Sequence, residues 1–96
     1  MNSLREKTTE QALTKAVKLY GGIAVKLISP GLAGMPDRLV LFPDGRLGFV
    51  EVKAPGRKPR SIQTIRHKQI RQLGFKVYVL DNKEQIGVII DDIIKG

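Results

Sequence analysis

Residues 34–53 read GMPDRLVLFPDGRLGFVEVK. Two short apolar runs flank Phe42-Pro43-Asp44-Gly45-Arg46, and this turn decides how they pair. Proline suits the second position of a type I turn, and glycine suits the left-handed position that follows. The combination predicts a three-residue hairpin loop with a bulge at the glycine. Such a loop pairs Phe42 with Arg46, Leu41 with Leu47, Leu39 with Phe49, and Asp37 with Glu51. A two-residue Asp-Gly turn would instead pair Asp37 with Val52 and send the two acids to opposite faces.

In the three-residue register the two carboxylates are direct cross-strand neighbours, with Cβ atoms roughly 5 Å apart. Lys53 lies two residues beyond Glu51 and shares its face. Like charges placed opposite one another destabilise a sheet, and one lysine offsets only part of that charge. A divalent cation between the acids makes the arrangement reasonable. The bland alternative is a solvated ion-pair cluster at the strand ends, which contributes little.

Upstream, residues 4–20 have helical periodicity, with Leu13, Ala16, Val17 and Tyr20 recurring at three and four. Ser3 and Glu6 form a capping-box pattern, and Gly21-Gly22 stops the helix. Glu10 shares a stripe with Leu13 and Val17, so it turns toward the sheet if they do; Glu6, one turn earlier, is the alternative. Residues 23–28 suit a short strand and SPGLAGMP a loop. The hairpin strands are 38–42 and 47–53. Downstream, APGRKPR is a loop. Residues 61–73 form a helix with Ser61 as a cap, Ile62, Ile65, Ile70 and Leu73 as its apolar positions, and Gly74 as its stop. On that helix His67 reads as a surface or helix-face histidine rather than a ligand, and Gln63 as an ordinary first-turn polar residue unless the site lies beside it. FKVYVL alternates like a strand with one buried face. Asp81 or Asn82 then caps a last helix carrying Ile86, Ile89, Ile90, Ile93 and Ile94. The expected order is α-β-β-β-α-β-α, an α/β fold with a mixed sheet flanked by helices, in one domain spanning residues 1–96.

Composition narrows the chemistry. The chain has no cysteine, which excludes disulfides and thiolate metal sites, and its one histidine argues against a multi-histidine zinc site. A metal would be held by oxygen, which favours magnesium, manganese or calcium. No apolar run is long enough to span a bilayer, and the N-terminus lacks the apolar segment of a secretory signal, so an intracellular protein is expected. The formal net charge is +8, which suggests a polyanionic partner. Nine of the seventeen basic residues fall between Arg38 and Arg71, and no acid lies between Lys53 and Arg71. The five aromatic residues fall mostly at apparent core positions, so recognition of nucleic-acid shape and backbone is expected rather than base reading.

Pro36-Asp37 followed by Glu51-Val52-Lys53 resembles the signature of the PD-(D/E)xK nuclease superfamily, with its restriction-endonuclease-like core. The longer match, GMPDRLVLFPDGRLGFVEVKAPG followed by Gln63 and LGFKVYVLD, resembles the virus-type replication-repair nuclease domain, VRR-NUC, in its stand-alone phage and bacterial form. The resemblance implies a Mg2+- or Mn2+-dependent endonuclease. Asp37 and Glu51 match its metal-binding acids, the Val52 backbone carbonyl completes the inner shell, and Lys53 matches the catalytic lysine. Glu10 matches the acid of the first helix, acting on the metal through water, and Gln63 matches the family glutamine. Arg38, Arg57, Lys58, Arg60, Arg66 and Lys68 would hold flanking phosphates. Short family members resemble Holliday-junction resolvases, which implies a homodimer acting on a four-way DNA junction in repair, within a bacterial or phage-infected cytoplasm. The competing readings are a non-catalytic nucleic-acid-binding module and a monomeric flap or nicking nuclease.

Overall fold

The structure, a computed structural model, describes residues 4–96, so the expected Ser3 cap lies outside the described residues. The elements are α1 (Leu4–Leu19), β1 (Ile23–Lys26), β2 (Arg38–Leu41), β3 (Leu47–Val52), α2 (Ser61–Gln72), β4 (Val77–Leu80) and α3 (Ile86–Lys95). Element order is as expected, with strand ends trimmed by one or two residues. The sheet runs β1-β2-β3-β4; the first three strands are antiparallel, and β4 joins β3 in parallel through the α2 crossover.

The hairpin register is the one read from the turn. Leu39 faces Phe49, Leu41 faces Leu47, and the Phe42 N–H donates to the Arg46 carbonyl at 2.8 Å. The turn itself differs from expectation. Asp44 has φ 65° and Gly45 φ 72°, so two successive residues are left-handed where one was predicted. Aspartate tolerates this region because its short polar side chain can bond locally.

The two faces of the sheet are covered differently. Leu13 and Val17 of α1 and Ile86, Ile89, Ile90 and Ile93 of α3 pack with Val40, Val50, Val52 and Leu80 into a wholly apolar cluster. Gly48 lets α3 approach closely, since a Cβ there would lie 2.9 Å from the Ile93 side chain. The other face is covered by α2, and here the reading of the helix is corrected. Its buried residues are Gln63, His67 and Ile70, whereas Ile62, Ile65 and Leu73 are 38%, 63% and 71% exposed. The loop before β2 helps fix that rotation. Arg66 Nε donates to the Ala33 carbonyl at 2.9 Å, and a Cβ on Gly34 would lie 2.5 Å from the Ile62 carbonyl. The helix begins at residue 61 as expected, but its cap is Arg60 and not Ser61. Asn82 caps the turn before α3 by accepting from the Glu84 N–H at 2.9 Å.

At the sheet's far end β1 is an edge strand, with Ile23 60% and Val25 37% exposed. Among the described residues, no helix is long and apolar enough to cross a membrane.

Candidate active site

Asp37 directly precedes β2, next to the fully buried Pro36. Its Oδ2 accepts from the Val52 N–H at 2.8 Å, which ties the start of β2 to the end of β3. The expected cross-strand pairing therefore brings Asp37 beside Glu51, near enough for its negative charge to act on the Glu51 carboxyl. Glu51 itself is buried, its side chain only 2% exposed. Lys53 Nζ lies 3.5 Å from Glu51 Oε2, and Gln63 Nε2 donates to the same oxygen at 3.0 Å. The Gln63 carbonyl oxygen accepts from the Arg60 N–H at 2.8 Å, so one amide caps α2 and holds Glu51.

His67 completes this cluster and was missed in the sequence. It is 2% exposed, and its Nε2 faces Glu51 Oε1 at 3.5 Å. Among the described residues, neither atom has a hydrogen-bond partner. The signal that could have found it is position: Gln63, His67 and Ile70 share one stripe of α2. A stripe holding two polar residues reads as solvent-facing unless Glu51 is known to lie beneath it.

The electrostatics follow from burial. Glu51 is pushed from 4.5 up to about 8, first by burial and then by the negative charge of Asp37, with Lys53 pulling the other way. The His67 imidazole is held below its usual value, first by burial and then by Arg71 and Lys53, so it is neutral at neutral pH. With its value raised, Glu51 holds a proton at neutral pH and so escapes repulsion by Asp37, and a divalent cation between the two carboxyls would relieve the same repulsion. The residues fit such an ion: the donors at this point are oxygens, as magnesium and manganese prefer. Among the described residues, no group of three or more His, Cys, Asp or Glu side chains could hold a metal. An ion here would take two carboxylates, with backbone oxygen and water for the rest.

A cleft of about 660 Å³ opens over Asp37, Glu51, Lys53 and Gln63, walled by Arg5, Glu6, Arg57 and Arg60. The first helix thus presents Glu6 to this cleft, not the expected Glu10. Glu10 is buried and paired with Arg38, its Oε2 3.0 Å from Arg38 Nε. Arg38 NH1 also donates to the Ala24 carbonyl at 2.9 Å, so Arg38 too is held away from the cleft lining. The reason is parity: Arg38 neighbours Asp37 on a strand and projects from the other face, where α1 lies. Lys58 and Lys68 are exposed outside the cleft lining, and the Arg66 guanidinium is bound to the Ala33 carbonyl.

No family model matches the chain. The protein named "Putative nuclease p44" from Acyrthosiphon pisum secondary endosymbiont phage 1 is 44% identical over 89 residues, covering 93% of this chain and 96% of that protein. A solved structure described as a VRR_NUC domain superposes with a TM-score of 0.85 at 30% identity, covering 93% of this chain and 97% of its own. With sequence alike over nearly the whole of both relatives, and fold alike to the solved one, the chain belongs to the VRR_NUC family and is a nuclease.

Proposed function

We propose that the protein is a Mg2+- or Mn2+-dependent DNA endonuclease selective for branched structure, with the four-way junction as its substrate and a homodimer as its working form. The observation that carries this reading is the half-buried Asp37 beside the buried Glu51 carboxyl, with Lys53 Nζ at 3.5 Å from Glu51. A pure binding module gains nothing from two acids at the floor of a basic cleft that must receive phosphate.

In this reading Asp37, Glu51 and the Val52 carbonyl hold the cation, and Glu6 takes the first-helix role expected of Glu10. When bound, magnesium or manganese supplies a Lewis acid for a phosphate oxygen and lowers the pKa of water. Lys53 orients the attacking water and offsets charge that develops on the phosphate. Gln63 keeps the Glu51 carboxyl aimed, and Arg57 and Arg60 hold the strand in the cleft. Water adds across one P–O bond, leaving a phosphomonoester and a hydroxyl. The dimer draws support from the edge strand β1, whose Ile23 and Val25 are exposed apolar residues.

The test is cleavage of a labelled four-way junction beside linear duplex and flap DNA, with either metal. Paired symmetric cuts, lost with chelator and in Asp37→Ala, are expected. Cleavage undiminished in Asp37→Ala overturns the site, and cleavage of flap alone overturns the junction.

A further inference from the structure

A second groove, of about 840 Å³, runs along α1 and shares no lining residue with the cleft over Glu51. Lys7, Lys15 and Lys18 of α1 and Lys26 of β1 line it, and all four are exposed. Its one acid, Glu10, is cancelled by Arg38, which sits in the same groove. The α1 lysines are not scattered: Lys7, Gln11, Lys15 and Lys18 recur at four, four and three, a single stripe. Lys15 and Lys18, three apart, repel and cost the helix roughly a few tenths of a kcal/mol. A polyanion laid along the stripe removes that cost. No aromatic side chain lines the groove, so it offers charge without base stacking.

We propose that this groove is a second phosphate-backbone track, holding DNA beyond the segment that lies in the cleavage cleft and holding it regardless of sequence. The proposal rests on the nucleic-acid substrate proposed above. Lys7 to Lys18 spans about 16 Å of helix, and a duplex strand passes roughly five phosphates over that distance. Arg5 and Glu6 line the cleft while Lys7 and its stripe line the groove, so α1 stands between the two. DNA that engages both must wrap α1, which favours bent or branched substrates over short straight ones.

The experiment compares Lys15→Ala/Lys18→Ala/Lys26→Ala with Arg46→Ala/Lys76→Ala/Lys95→Ala, which removes equal charge elsewhere. Alanine preserves the helix, and circular dichroism checks both. Binding of a long duplex and of a four-way junction is measured by fluorescence anisotropy without divalent metal, between about 50 and 200 mM salt. The groove variant is expected to flatten the slope of log affinity against log salt by about 2–3, at roughly 0.9 per lost phosphate contact. The control should change it by less than about 1. A wild-type slope in the groove variant, or an equal loss in the control, overturns the track. Because binding is read without cleavage, wild-type binding with no hydrolysis would sink the nuclease mechanism and leave this inference standing.

Discussion

The two faces of the sheet solve opposite problems. Against α1 and α3 the core cluster is apolar, from Leu13 and Val17 to Ile93, and the buried polar residues of α1, Thr9 and Glu10, have partners in the Arg5 carbonyl and Arg38. Against α2 the buried side chains include Glu51, Gln63 and His67, a carboxyl, an amide and an imidazole. Burying polar groups costs stability unless each finds a partner, and among the described residues Glu51 Oε1 and His67 Nε2 find none. One face supplies stability, and the other uses some of it to hold chemistry in place.

The sharpest way to break this contrast is to hollow the apolar face. Leu13→Ala should lower unfolding free energy by roughly 2–5 kcal/mol, read by chemical denaturation. A loss well under that range would mean the α1 face is not the stabilising one. On the polar face Glu51→Gln should act in the opposite sense. Cleavage should fall by roughly two to three orders of magnitude, as when a single electrostatic contributor is removed, while the metal-free protein melts higher than wild type.

The pH dependence sharpens the same point. The folded protein holds the Glu51 proton far more tightly than the unfolded chain, with its value raised from 4.5 to about 8. This group's contribution is therefore greatest below about 4.5 and is lost as pH rises toward about 8. His67, with its value lowered from 6.5, works the other way, but its effect is complete above about 6.5. Melting temperature of the metal-free protein should thus fall between pH 6.5 and 8, and Glu51→Gln should flatten the fall. Added Mn2+ should restore the wild type and not the variant.

Smaller effects test the supporting residues. His67→Leu should weaken Mn2+ binding by roughly tenfold in calorimetry, the cost of losing a group that orients a ligand. His67→Gln should recover part of it; equal loss in both would reduce His67 to a packing role. Ile65→Ser should change stability by no more than about 0.5 kcal/mol, because Ile65 is 63% exposed. A loss of several kcal/mol would put α2 back in the rotation its isoleucines suggest.

Helix α2 also shows where sequence reading stops. The strands, the helices and the pairing of Asp37 toward Glu51 were legible because a loop of three residues, Pro43 to Gly45, leaves little choice of register. The lysine two residues beyond Glu51 followed from strand parity. Helix rotation was not legible, since apolar periodicity assumes that the surface beneath is apolar, and beneath α2 lies Glu51. Glu6 and Glu10 could not be separated by spacing either. What separates them is Arg38, which reaches across from β2 and claims Glu10.

The open edge of β1 sets a colloidal condition on the protein. A strand with Ile23 and Val25 exposed invites another copy to pair along it, and the net charge of +8 holds copies apart. Near 0.15 M salt that repulsion reaches only about 8 Å. Salt that would loosen the proposed grip on DNA phosphates would also let chains meet, so ionic strength would trade one kind of association for the other.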